Sequence, residues 1–438
     1  MKELLPYILT DVACIIFCVG LLIRTLSLWH PFLLYVFFHG YSFTYRAYQL
    51  WKGATPMYAE NPNADIVTSN EITKGLLIAD LALISFTIAS FLAYQVYIKN
   101  VRKPVNKTQI NHTIVNLVCF VCLPVGIVVL IQSKVSMLNS DFFGRSNYFQ
   151  VLALWPISCL YVLLFTYGWR WWITLLITGY LSLVALQGYH RTMLILPIIF
   201  FIIIYLIKNR KRWIGIGTIL PLLFLFIIFG RLKYIGRAFQ ERDYGEMWYQ
   251  FSQSLQSAKG EDEESSEQFL DQYCGFISMA DTADKIGYGT NYLAILVLPL
   301  PREIWPNKPG QADHIAEVST PRRQYDREGR IITYIGESYY NFRYFGVILI
   351  SGFFGYFLTR WCFRSAIGPF KCLEVLTYTL FFTTLIQFYR DGVSSIVIFG
   401  IAHQIPFIII LFLHKTLGSD LKINANSPLS ALKEFRLK

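Results

Sequence analysis

The sequence predicts an all-α polytopic membrane protein of roughly 11 (10–12) transmembrane helices, with one large extracytoplasmic loop between helices 8 and 9. Three observations lead there. The chain has 438 residues, of which 54% are hydrophobic and only 15% charged, against about a quarter charged in soluble domains. Apolar runs near the roughly 20 residues that cross a hydrocarbon layer recur along it. They are helical, because in lipid each run must satisfy its own backbone and the alternating pattern of a membrane barrel is missing. Third, residues 231–342 carry 12 Lys and Arg against 17 Asp and Glu, which leaves 27 basic and 11 acidic residues elsewhere. That excess lies on alternate short loops, the mark of cytoplasmic positive charge, so the formal charge of +11 is no nucleic-acid surface.

In order, helix one runs from about Pro6 to Leu28 and helix two from Pro31 to about Leu50, the second made polar by His39 and Arg46. At the start, LTDVAC has Asp11 where a lipoprotein signal needs an aliphatic residue, so the first helix is expected to be retained. A turn-rich loop at 51–74 precedes helix three, Gly75 to Ile98, and the basic KNVRKPVNK follows. Helix four covers Thr113 to Ile131, helix five Tyr148 to Tyr167, helix six Trp171 to Gln187 and helix seven Thr192 to Ile207. The tryptophans of GWRWW suit a membrane interface, and the strongly basic KNRKR at 208–212 sets the orientation. Helix eight, Trp213 to Gly230, delivers the chain to the outer side. After the loop come helices nine (Tyr344 to Trp361), ten (Leu373 to Tyr389) and eleven (Val393 to His414).

The chain thus divides into 1–230 with helices 1–8, the loop 231–342, helices 9–11 in 343–414, and a basic cytoplasmic tail at 415–438. Residues 291–300, NYLAILVLPL, are too short to cross and read as a membrane-dipping segment. Within the loop, EDEESSE at 261–267 lacks the alternating spacing of an oxygen cage and reads as solvated. Eight cysteines lie mainly in apolar runs, and Cys119 and Cys122, a CxxC inside helix four, read as packing.

Four stretches bear on function: GYHRTMLIL, LPREIWPNKP, GESYYNFRYFG and FYRDG. In these, and in their order and topology, the chain resembles the O-antigen polymerase family, the oligosaccharide repeat-unit (Wzy-type) polymerases. Where that family shows Asn-Phe-Gly, this chain has Asn341, Phe342 and Arg343, and the family's spaced Arg and Gly repeat is absent. The resemblance implies a glycosyltransferase of O-antigen, capsule or exopolysaccharide synthesis in the bacterial cytoplasmic (inner) membrane. Its donor would be a polyprenyl-pyrophosphate-linked oligosaccharide, and its active site would face the extracytoplasmic side. It also implies work beside a flippase and a chain-length regulator.

Such a transfer needs cations for the pyrophosphate and a base for the attacking hydroxyl. Arginine suits the first role because its planar fork holds phosphate oxygens in pairs. Arg191, Arg302 and Arg390 fall at outer membrane edges, with Lys308, Arg231 and Arg237 nearby in the basic ends of the loop. Snorkelling, or pairing of Arg390 with Asp391, is the alternative reading of the arginines. Glu337 is the candidate base, with Asn341 one turn along if the helix begins early, and His190 and His314 are competitors. A glutamate in a first helical turn is also favoured by the helix dipole alone. Trp305, Tyr339, Tyr340 and Asn341 are candidate sugar contacts, although interfacial aromatics also serve as anchors. No Asp-x-Asp, Walker or Rossmann pattern occurs, so no metal and no cofactor is expected in the reaction. Two rivals remain open, an O-antigen ligase of the same architecture and a lipid-linked oligosaccharide flippase. The second would favour repeated halves and midplane charges, of which Asp11, Arg46 and Asp80 are the few present.

Overall fold

A computed structural model of the protein describes residues 1–56, 67–100, 106–137, 152–186, 192–215, 217, 269–297, 305, 318, 332–366, 372–393, 395–417 and 422–424. Most of helix eight at 213–230 and, of the loop that follows, residues 231–268 with EDEESSE, 298–304, 306–317 and 319–331 lie outside these. The described chain is overwhelmingly helical. Four helices are long and apolar enough to cross a membrane: Lys2–Leu22, Ser69–Lys99, His112–Gln132 and Thr333–Ser365. Shorter apolar helices occupy Trp155–Tyr167, Trp171–Leu183, Leu196–Lys208 and Ala402–Leu417. These are the elements of a multi-pass membrane protein.

The chain forms two compact units. The first combines Met1–Asn100, Glu261–Arg364 and Leu385–Val397. Its α1, Leu5–Leu22, turns Leu9, Ile16 and Phe17 outward while burying Asp11, Cys18 and Leu22. The α2 helix, Pro31–His39, starts where the His30 imidazole accepts the Phe32 amide and Pro31 supplies a preset φ. It runs on through a π turn, Gly40–Tyr45, into α3, Arg46–Lys52, so helix two is continuous despite its polarity. That polarity is partnered: the buried Arg46 fork meets Asp271 at 3.1 and 2.8 Å and also donates to the Thr55 carbonyl.

The α4 helix, Ser69–Asn100, begins six residues before its apolar run because Thr68 and Glu71 form a capping box. Against it pack α1 and a buried helix, Phe269–Thr282, which carries Asp271. The long Thr333–Ala366 helix approaches α4 closely at Gly355, where any Cβ would strike the Phe86 backbone. Ser90 donates to the Gly355 carbonyl and Thr359 to Ser90, the small-residue and hydroxyl packing usual between membrane helices. Tyr35, Phe86, Tyr334, Phe388 and Tyr389 fill the centre of this unit.

The second unit combines Val101–Gly260, Ser365–Thr384 and Ile398–Lys438. In it α5, His112–Met137, packs on α6, Trp155–Tyr167, and α6 meets α7, Trp171–Leu186, and α8, Thr192–Lys208. Tyr161 stacks on Phe200 with ring centres 4.0 Å apart, joining α6 to α8. Strands β1, Asn106–Thr108, and β2, Lys422–Asn424, pair antiparallel and tie the end of KNVRKPVNK to the tail. All eight cysteines are free; Cys119 and Cys122 are buried, with Cys119 against the Cys159 carbonyl.

Continuing the numbering, α9 is Phe269–Thr282, α10 is Thr290–Val297, α11 is Thr333–Ala366 and α12 is Leu373–Asp391. A π turn, Ile396–Ile401, and a 3-10 turn, Ala402–Gln404, lead into α13, Ile405–Leu417.

Candidate active site around Glu337

The α11 helix is two helices joined at a break. Phe342 and Arg343 have non-helical backbone, and Arg343 lies at φ 53°, ψ −144°, a region that glycine favours. This is the position where the resembled family has glycine. What holds an arginine there is its head, which donates to Asp281 at 3.0 Å and to the carbonyls of Ala280 and Lys285 at 3.1 and 3.0 Å. Asp281 in turn accepts the Tyr339 hydroxyl and the Lys74 ammonium.

The break leaves a short arm, residues 333–341, which opens with the Thr333 hydroxyl accepting the Gly336 amide. Because the helix begins this early, Glu337 and Asn341 stand one turn apart, and the Asn341 side-chain Nδ2 donates to the Glu337 backbone carbonyl at 2.8 Å. The Asn341 oxygen accepts the Gly289 amide, also at 2.8 Å, while Tyr340 and Asn341 carbonyls accept the amides of Gly287 and Tyr288. Tyr292 on α10 donates to Ser338 at 3.2 Å. The start of the 291–300 segment, here helix α10, is therefore bonded along the arm that carries Glu337. Leu293 and Leu296 of α10 are exposed.

Glu337 is buried, 3% exposed, and its carboxylate accepts the Val393 amide at 2.7 Å. The carboxylate also lies over Gly392, where a Cβ would strike it and where φ is +91°. Two stretches separated by some fifty residues, GESYYNFRYFG and FYRDG, thus meet at one carboxylate. Arg390, two residues before Gly392, is paired with its neighbour Asp391 at 2.6 and 3.0 Å, and a phosphate there would share the fork with that acid.

Of the sequence-derived candidates, Glu337, Tyr339, Tyr340 and Asn341 share the arm and Arg390 lies on the adjoining turn. Tyr339, Tyr340 and Asn341 are buried, with Tyr339 and Asn341 bonded internally, so their polar groups serve the arm's own geometry in this state. Trp305 is 43% exposed. His190, His314, Arg191, Arg302, Lys308, Arg231 and Arg237 lie outside the described residues. Tyr292 and Asp281 went unread in the sequence, and Gly392 and Val393, though read as the end of FYRDG and the start of helix eleven, carried no sign of a link to Glu337. In comparisons with protein-family models, curated proteins and solved structures, nothing matches this chain.

Proposed function

We propose that the protein is a glycan polymerase of a bacterial cytoplasmic membrane, with roughly 11 spans and its active site on the outer face. It transfers a polyprenyl-pyrophosphate-linked oligosaccharide onto a sugar hydroxyl of another lipid-linked repeat unit. The observation that carries this reading is the meeting of the Glu337 carboxylate with the turn after Arg390 and Asp391. It joins an acid to the neighbourhood of a charged fork, the two kinds of group that the transfer needs, and both belong to stretches on which the family resemblance rests.

In the proposed step the acceptor oxygen attacks the anomeric carbon of the donor, Glu337 takes the hydroxyl proton, and the bond to pyrophosphate breaks. The polyprenyl pyrophosphate leaves with the bonding electrons, its charge held by Arg191, Arg302 and Arg390 with Lys308, Arg231 and Arg237. Trp305 offers an exposed aromatic face to a sugar. The reaction uses no metal and no cofactor; its partners are the lipid-linked glycan and membrane lipid, beside a flippase and a chain-length regulator.

Reconstitution of the purified chain with a lipid-linked repeat unit tests the reading. Product ladders are expected. Single transfer to a lipid core would instead make it a ligase, and movement across the bilayer without bond change a flippase. Arg191→Lys and Arg302→Lys should weaken the ladder, since lysine keeps the charge and loses the fork. The ladder should persist in EDTA.

A further inference from the structure

A second group of ionisable side chains lies inside the first unit, away from any role given to Glu337. Asp11 on α1, His39 at the end of α2 and Asp80 on α4 are 0%, 0% and 7% exposed. The His39 Nε2 is 2.6 Å from Asp11 Oδ1 and 3.8 Å from Asp80 Oδ1. One donor atom from each residue lies within 4.8 Å of the others.

Three features of this group call for a ligand. Asp11 Oδ2, Asp80 Oδ1 and His39 Nδ1 are buried without a hydrogen-bond partner, and native interiors seldom leave such atoms unpaired. Both carboxylates turn to the same imidazole, which gathers one nitrogen and two oxygen donors around a single buried point. The π turn Gly40–Tyr45 follows His39 directly, and such widened turns recur at functional positions.

We propose that Asp11, His39 and Asp80 form a binding site for one divalent ion of the first transition row. An imidazole nitrogen and two carboxylate oxygens suit Zn²⁺, Mn²⁺ or Fe²⁺, whereas Ca²⁺ and Mg²⁺ need more oxygens. Metal to ligand distances near 2.1 Å put tetrahedral ligands about 3.4 Å apart. The observed 2.6 and 3.8 Å bracket that spacing, so small side-chain movements close the set around an ion. Two charges on the ion balance the two carboxylates, and it fastens α1, α2 and α4 together.

The test uses the full chain in detergent, purified without chelator, with metal content by mass spectrometry and thermal unfolding in added Zn²⁺ or Mn²⁺. About one equivalent of ion per chain and a metal-dependent rise in melting temperature are expected. His39→Gln and Asp80→Asn should lose about nine-tenths of the bound ion and the rise. Should His39→Gln fail to accumulate, Co²⁺ loading decides: visible bands of a bound Co²⁺ in the wild type that vanish in Asp80→Asn support the site. Wild-type protein that takes up no ion and melts at the same temperature with or without metal overturns it, as does equal uptake by Asp80→Asn. The ladder assay plays no part in this test, so the two proposals fail separately. Loss of the ladder in EDTA, restored by metal in Asp80→Asn as in the wild type, would count against the metal-free reaction alone.

Discussion

The carboxylate of Glu337 accepts the amide of Val393 at 2.7 Å, and through that bond an acid on α11 is oriented by the turn that ends α12. Glutamine at 337 can still accept the amide but cannot take up a proton from an attacking hydroxyl. Glu337→Gln is therefore expected to fold, to retain lipid-linked substrate and to lower turnover by about a hundredfold. Product ladders are read alongside protein level in the membrane. A near-normal ladder at normal expression would remove Glu337 as the base and turn attention to His190 and His314.

Gly392 is held at φ +91° with the Glu337 carboxylate against it. Gly392→Ala brings both backbone strain and a collision, at a cost of about 1–3 kcal/mol for the strain alone. Gly20→Ala on α1 meets nothing within 4 Å and is the control. Melting in detergent and ladder formation should both fall in the first variant and hold in the second.

Arg343 offers a test of the break in α11. Alanine there keeps the positive φ and loses the contacts to Asp281, Ala280 and Lys285, whereas glycine loses the contacts and relaxes the backbone. Arg343→Gly should thus remain more stable than Arg343→Ala, by about 1 kcal/mol. Equal melting of the two variants would argue that the backbone is under no strain.

Orientation rests on charge alone and is tested by labelling. A single cysteine placed near Glu264 should react with an impermeant thiol reagent in intact cells, and one near Lys211 should be shielded. The reverse pattern would invert the topology.

Long apolar runs were legible because lipid-length hydrophobicity needs no tertiary information: α4 and α5 contain the stretches read as helices three and four, extended by a few polar residues at their ends. Pairings were not legible. His39 and Arg46 made helix two look weak, yet their partners Asp11 and Asp271 lie 28 and 225 positions away, and no periodicity links such residues. The α9 helix read as loop because Asp271 and Asp281 interrupt it, although one meets Arg46 and the other Arg343. At the site, Glu337 and Asn341 could be set on one face from their spacing alone. That Val393 would reach the carboxylate depends on the return of α12, which no local pattern encodes.

The break at Phe342 and Arg343 also settles a matter of length. Unbroken, the 34 residues of α11 would make a rod of about 51 Å, far more than the roughly 30 Å of a hydrocarbon layer. Divided there, Tyr344 to Ala366 measures about 35 Å, a fair match to that layer, and the remaining arm measures about 14 Å. The arm turns away from the rod's axis at the break and packs on its first turn at Gly346, so that Glu337 takes its aim from α10 and from the turn at Gly392 rather than from a continuing helix.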